Sequence, residues 1–287
     1  MIYVINLMKI LTIILLTTLL SARKLIPLTK EKKEFILSKG FDVDENSMEA
    51  IYDELPTGFP AEFDSRENWP HCMSMMQNEG ECQSSWAMAA SSVMSDRFCI
   101  SLNKASSDVI FSPQYLLSCL PTQTGCKNKQ KTDEVFKYLR DHGLPTEECV
   151  PYNSADGKAR ECSKDKCTKE NKSFDLKKCA KDIYFSSSDA IKQEIYTHGP
   201  VYCTFNRYAD FDNYKSGIYY MVSSPYNDLI EENRGVKVIG WGVENGIHFW
   251  IAMNSWGEKW GENAYFRIRM LEVNICEVAA TCEPPPK

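Results

Sequence analysis

The stretch Gly80-Glu81-Cys82-Gln83-Ser84-Ser85-Trp86-Ala87 combines the signals of a tight loop with those of the first turn of a helix. The run from Ser84 to Cys99 holds no glycine or proline, and its apolar residues recur at helical spacing. Ser84 or Ser85 therefore lies at the predicted helix N-terminus, where hydroxyl side chains commonly cap free amides. That end carries partial positive charge, which favours an anionic nucleophile. In this sequence the residue directly before Trp86 is Ser85.

Residues 1–22 have the composition of a secretory signal peptide. An apolar run from Ile10 to Leu20 precedes Ser21-Ala22, which offers a small-residue cleavage site. A membrane-spanning helix needs about 20 continuous apolar residues, and Asn6 and Lys9 interrupt the run. We expect no membrane span in the mature form, and a location outside the cell or in a lysosome-like or vacuole-like compartment.

The composition points to an oxidising compartment and away from several classes of partner. Twelve cysteines occur without the paired Cys-x-x-Cys spacing of metal ligands, so disulfides are the better interpretation. The net charge of −6 argues against nucleic acid as a partner. We predict neither a cofactor nor a metal site.

The periodicity of apolar residues changes along the chain from helical to alternating. Three further helices are predicted, the first starting at Ser112-Pro113 and the others spanning Asp133–His142 and Ser187–Tyr196. Later segments alternate as strands, namely Val236–Ile239, Ile247–Trp250 and Tyr265–Arg269. Helices first and strands later predict an α+β fold.

The opening octet resembles the active-site segment of papain-family cysteine peptidases, where Cys-Gly-Ser-Cys-Trp-Ala places the catalytic thiol before the tryptophan. Two later segments, 240–246 (GWGVENG) and 254–257 (NSWG), resemble those around the catalytic histidine and asparagine of the family. Leu55-Pro56 and Trp69-Pro70-His71-Cys72 add a likeness to its cathepsin B branch, which covers most of the chain from Leu55 onward.

The resemblance implies a papain-like two-domain fold with a cleft between its halves. The peptidase domain would span residues 55–287, with a helical part at about 55–180 and a β-barrel-like part at about 181–287. Residues 23–54 would be a short propeptide, either removed or retained by an inert protein, or a surface helix of the mature domain.

The same resemblance assigns the catalytic positions, and three of the four are substituted. Ser85 stands at the nucleophile, Arg234 at the histidine and Glu79 at the glutamine that donates to the oxyanion, whereas Asn254 is kept. A serine hydroxyl ionises far less readily than a thiol, and a guanidinium cannot act as a base. An ionised Glu79 donates no hydrogen bond and would oppose an oxyanion. Because their charges are opposite, we predict an ion pair between Glu79 and Arg234.

Other side chains are candidates for the two missing roles, the oxyanion donor and the catalytic base. Gln77 is the candidate donor if the loop bulges, and the candidate bases are the four histidines, His71, His142, His198 and His248. All four histidines are better interpreted as ordinary surface or core residues.

The resemblance also predicts an altered substrate cleft lined by Lys129 and Trp256. Lys129 replaces a glycine whose backbone would approach the substrate closely. Residues 150–161 contain no histidine, so the paired histidines of the cathepsin B occluding loop are missing. A dipeptide-trimming activity is therefore not expected.

Four disulfides follow from the resemblance, and four cysteines remain unassigned. The implied pairs are Cys72–Cys99, Cys82–Cys126, Cys119–Cys162 and Cys149–Cys167. The pairing of the remaining four stays open: Cys179, Cys203, Cys276 and Cys282.

The favoured interpretation is an inactive member of this family that binds a peptide or protein ligand in the cleft. The enzyme alternative is a cysteine-type hydrolase of the family with residual activity. A purely structural extracellular component is a third possibility, and the oligomeric state is left open.

Overall fold

The computed structural model describes residues 23–38, 48–52, 58, 60–102, 109–122, 125–127, 131–163, 167 and 173–286. The predicted signal peptide and Lys129 lie outside these residues. No helix within the described ranges is both long and apolar enough to cross a membrane.

The described elements confirm a mixed fold of helices and one large sheet. The helices are α1 (Lys30–Ser38), α2 (Ser65–Asn68), α3 (Ser85–Leu102), α4 (Pro113–Cys119), α5 (Thr132–Asp141) and α6 (Ser188–His198). The strands are β1 (Arg23–Pro27), β2 (Met48–Tyr52), β3 (Phe63–Asp64), β4 (Lys181–Phe185), β5 (Val201–Tyr208), β6 (Ile218–Tyr219), β7 (Leu229–Glu244), β8 (Ile247–Met253), β9 (Tyr265–Arg269) and β10 (Ala279–Glu283).

Helix α3 is the central helix of the molecule. Its residues from Ser85 to Cys99 are all buried, which is typical of a helix that is packed on every side. Two of its serines satisfy their hydroxyls within the helix: Ser91 donates to the carbonyl of Ala87 at 2.8 Å, and Ser95 donates to that of Ser91 at 2.7 Å. The helix is only weakly amphipathic, so the signal that predicts it is the absence of glycine and proline.

Local capping explains where two of the other predicted helices begin. Ser112 accepts a hydrogen bond from the amide of Tyr115 at 2.9 Å, and Pro113 occupies the first turn of α4. Ser187 accepts from the amide of Ala190 at 3.2 Å at the start of α6. Helix α5 begins after Lys131 without a side-chain cap.

The sheet is open, so the predicted barrel-like part is not a closed barrel. Its order is β1-β2-β4-β10-β5-β7-β8-β9-β6, with β3 paired to β7 outside this path. The path therefore ends at different strands, β1 and β6, and does not return to its start. The predicted strands at 236–239, 247–250 and 265–269 lie within β7, β8 and β9.

The two halves of the chain are joined by the packing of α3 on β7 and by a buried ion pair. Lys237 of β7 donates to a carboxylate oxygen of Asp96 in α3 and to the carbonyl of Ser74, both at 2.6 Å. Lys237 and Asp96 are both fully buried. Burial raises the pKa of Asp96 and lowers that of Lys237, while each partner's charge opposes the shift. The pair therefore links α3 to β7 inside the core.

Two early segments join the sheet of the second half. Phe63 of β3 pairs with Trp241 of β7, so this sheet includes a strand from the first half. The division near residue 180 stays a prediction. Strands β1 and β2 form an antiparallel pair, and Met48 and Glu49 of β2 pair in parallel with β4. The described part of the predicted propeptide therefore extends the sheet beyond β4. Whether residues 23–54 are removed stays a prediction.

Six disulfides take up all twelve cysteines. Four are the pairs that the resemblance implies: Cys72–Cys99, Cys82–Cys126, Cys119–Cys162 and Cys149–Cys167. The structure adds the two that the sequence left open, Cys179–Cys282 and Cys203–Cys276. Their separations in sequence are 103 and 73 residues, so no local pattern indicated them.

Candidate active-site cleft

Ser85 begins helix α3 at the junction of the two halves. Its side-chain oxygen accepts a hydrogen bond from the amide of Gly235 at 3.3 Å, and Ser85 is only 2% exposed. Position 235 requires glycine, because a Cβ there would lie 2.8 Å from the Cα of Trp86. This close approach of α3 to β7 covers the serine hydroxyl.

Arg234 is the centre of the hydrogen-bond network beside Ser85. Its Nε and Nη2 donate to Oδ1 of Asn254 at 3.1 and 3.0 Å, and its Nη1 donates to Oε2 of Glu231 at 2.9 Å. Its Nη2 also donates to the hydroxyl of Ser255 at 3.2 Å and to Oε1 of Glu79. All three guanidinium nitrogens are therefore engaged, and Asn254 fixes the orientation of the arginine.

Glu79 receives hydrogen bonds from three sides. Its Oε1 accepts from Arg234 and from the indole Nε1 of Trp256 at 2.8 Å, and its Oε2 accepts from the amide of Ser84 at 3.0 Å. The backbone of Glu79 is also held, because its amide donates to the carbonyl of Ser255 at 2.9 Å. In every described contact the carboxylate accepts, as expected for its ionised form.

The predicted ion pair between Glu79 and Arg234 is present, and it is buried. The side chains are 3% and 2% exposed. Burial lowers the pKa of Arg234, but the charges of Glu79 and Glu231 outweigh it and leave the pKa above its ordinary value. Arg234 is therefore a permanent cation that cannot accept a proton. A buried pair of this kind affects stability far more when one partner is lost than an exposed pair does.

Trp256 contacts two arginines. The guanidinium carbon of Arg234 is 4.5 Å from the centroid of its ring, and that of Arg207 is 5.2 Å away. Arg207 is itself held by Asp212 at 2.8 Å and by Glu231 at 3.1 Å. The indole of Trp256, a predicted cleft residue, therefore makes cation–π contacts with two arginines of the same chain.

Sequence reasoning missed Glu231 and Arg207. With them, the charges form an alternating chain from the exposed Asp212 through Arg207, Glu231 and Arg234 to the buried Glu79. The one local signal for Glu231 is its position three residues before Arg234. Arg207 is brought to Glu231 by the register of β5 on β7, in which these two residues are partners.

Three of the five candidate replacement groups are engaged elsewhere. The amide of Gln77 donates to Glu147 at 2.7 Å, His142 stacks on Tyr138, and His198 contacts Glu194 at 3.1 Å. No hydrogen bond described for any histidine involves Ser85. Among the described residues no group of three or more His, Cys, Asp or Glu side chains is arranged to hold a metal ion.

The arrangement is suited to holding charge and unsuited to proton transfer. Ser85 has a donor amide on its oxygen, and its nearest charged neighbours in the network are a permanent cation and a carboxylate that already accepts three hydrogen bonds. A general base must reach the proton that it abstracts within hydrogen-bond distance or through one water. The described contacts of Ser85 include no such base.

The family model described as "Papain family cysteine protease" matches residues 59–285. Among curated relatives, "Cathepsin B-like cysteine proteinase 3" of Caenorhabditis elegans is 34% identical over 78% of this chain and 65% of its own length. This chain thus spans slightly less than two thirds of that relative. "Cathepsin B" of Dictyostelium discoideum is 35% identical over 79% of this chain and 75% of its own.

A solved structure of "proCathepsin B S9 from Trypanosoma congolense" is similar over 83% of this chain and 82% of its own, with a TM-score of 0.74 and 28% identity. The family model covers well over half of the sequence, and the sequence and structural relatives agree with each other. The chain therefore belongs to the papain family of cysteine proteases, as a homologue of its cathepsin B-like members.

Proposed function

We propose that this protein is a papain-family homologue that does not hydrolyse peptides and acts by binding a peptide or protein ligand in the cleft. The observation that carries the proposal is the set of partners of Arg234. The residue at the position of the catalytic base is a buried guanidinium, bonded to Glu79, Glu231 and Asn254. Such a group neither accepts a proton from Ser85 nor returns one to a leaving group.

The position of the oxyanion donor supports the same proposal. Glu79 presents a carboxylate where the family has an amide, and that carboxylate is neutralised by Arg234. A substrate oxyanion there would meet carboxylate oxygens, which accept hydrogen bonds, in place of an amide that donates one. Removing one good oxyanion donor alone slows catalysis by roughly 10²- to 10³-fold in an otherwise intact site.

We further propose that the protein follows the secretory pathway, to the cell exterior or to a lysosome-like or vacuole-like compartment. The support is chemical: all twelve cysteines are in disulfides, which persist in oxidising compartments. The composition of residues 1–22 agrees with this route.

The proposal is tested on the folded full chain with broad fluorogenic peptide substrates and an epoxide probe that traps active-site thiolates. We expect no turnover and no label at residue 85. The single variant Ser85→Cys should remain inactive, since members of a catalytic unit act together. The triple variant Ser85→Cys, Glu79→Gln, Arg234→His is the positive control and should gain labelling and turnover.

Turnover by the natural chain that disappears in Ser85→Ala would overturn the proposal, as would covalent modification mapped to Ser85 by mass spectrometry. Either result would favour the alternative, a hydrolase of the family with residual activity.

A further inference from the structure

Residues 220–230 connect β6 to β7 and include the first two residues of β7. This segment, which we call the aromatic loop, exposes an unusual number of large apolar side chains. Tyr226 is 89% exposed, Tyr220 60% and Val222 53%, and Leu229 and Ile230 are 43% and 49% exposed. Single exposed apolar residues are ordinary on protein surfaces, but a concentration within one short segment indicates an interaction site.

Hydrogen bonds to neighbouring polar side chains hold the aromatic loop in one shape. The carboxylate of Asp210 accepts from the amide of Val222 at 2.9 Å and from the hydroxyl of Tyr219 at 2.8 Å. Asn227 closes the loop, because its side chain accepts from the amide of Asp210 at 3.0 Å and donates to the carbonyl of Val222 at 2.8 Å. A loop ordered before binding loses less conformational entropy when a partner docks.

The tyrosines suit this loop to protein contact. A tyrosine side chain gives a large contact area with few rotatable bonds, and its hydroxyl can still bond to polar groups of a partner. Tyr220 and Tyr226 present such area on a backbone that the contacts of Asp210 and Asn227 hold in place.

Charge decides which partner fits. Residues 207–234 contain five carboxylates (Asp210, Asp212, Asp228, Glu231 and Glu232) and three cations (Arg207, Lys215 and Arg234), a net charge of −2. Arg207 is bonded to two of these carboxylates, Asp212 and Glu231. A surface of this sign repels a second copy of itself and anionic lipid, and it attracts positively charged segments.

We propose that the aromatic loop docks a basic polypeptide segment that carries apolar side chains, beside the cleft and outside its buried centre. The loop runs directly into β7, which carries Glu231 and Arg234, so it is continuous in the chain with the buried network. This inference rests on the proposed function only in that the protein acts by binding. It does not depend on the chemistry of Ser85.

The test uses the folded full chain and two fluorescein-labelled probe peptides. One alternates lysine with leucine and phenylalanine, and the other has glutamate at each lysine position. We expect the basic peptide to bind, and its affinity to fall at least tenfold in the double variant Val222→Ser, Tyr226→Ser. Ile110→Ser is the matched control, because Ile110 is an apolar residue 37% exposed on the helical half, and it should bind like the natural chain.

Salt and alternative occupants complete the test. Binding of the basic peptide should weaken at high salt. Equal binding of the acidic peptide, no binding of the basic one, or binding that the double variant leaves unchanged would each overturn the proposal. Analytical ultracentrifugation and phosphatidylserine vesicles test the other occupants: self-association or vesicle binding that the double variant abolishes would assign the loop to a second copy or a membrane instead. Failure of the proposed function would appear separately, in the peptidase assay.

Discussion

The buried pair of Arg234 and Glu79 predicts a large and asymmetric loss of stability when one partner is removed. In Arg234→Met, the carboxylate of Glu79 stays buried at 3% exposure with only neutral donors, the amide of Ser84 and the indole of Trp256. Leaving one charge of a buried pair unpaired costs about 3–5 kcal/mol. Asn254 Oδ1 also loses the two hydrogen bonds from Arg234 and keeps only the one from the amide of Ser255 at 2.9 Å.

A double variant removes the charge of Glu79 that Arg234→Met leaves unpaired. In Glu79→Gln, Arg234→Met no unpaired ion remains, so the double variant should recover about 1–3 kcal/mol relative to Arg234→Met alone. A matched control is Arg269→Met, since Arg269 is 54% exposed and paired with Glu272. Loss of such a surface pair changes stability by at most about 1 kcal/mol.

The assay is equilibrium urea unfolding followed by far-ultraviolet circular dichroism, with all disulfides intact. The expected order of stability is natural chain, Arg269→Met, double variant and Arg234→Met, from most to least stable. The reasoning is refuted if Arg234→Met loses no more than the surface control. It is also refuted if the double variant is as unstable as the sum of its two single changes, because that would mean the two charges do not interact.

Two further predictions concern groups around the cleft and the sheet. Arg207→Ala should remove the guanidinium that lies 5.2 Å from the ring centroid of Trp256 and so raise quenching of tryptophan fluorescence by acrylamide, with Arg269→Ala as the unchanged control. Equal quenching in the two variants would contradict this contact. Burial raises the pKa of Glu262, but the hydrogen bond from Arg267 helps leave it below its ordinary value of 4.5. A carboxylate whose folded pKa is depressed stabilises the protein above its unfolded pKa, and this contribution is lost as the pH falls through the folded value. Glu262→Gln should therefore flatten the decline of melting temperature below about pH 4.5; an unchanged slope would contradict it.

Much of the fold followed from local signals in the sequence. The caps at Ser112 and Ser187 act within three residues, and helix α3 needed only the absence of breakers after Ser84. The open edges of the sheet did not follow, because closure depends on which strands meet at the edges and not on the period of any one strand.

The sequence likewise predicted part of the candidate site, and the structure was needed for the rest. The sequence alone predicted that a hydroxyl, a guanidinium and a carboxylate stand at catalytic positions of the family, and the opposite charges of Glu79 and Arg234 predicted their ion pair. Only the tertiary structure decided that this pair is buried, that Glu231 is a second carboxylate on Arg234, and that Arg207 contacts Trp256. Charge is a property of each residue and can be taken from the sequence. Burial and the additional partners of Arg234 and Trp256 depend on the register of β5 on β7 and on the packing of α3 against β7, because these contacts join residues far apart in the chain.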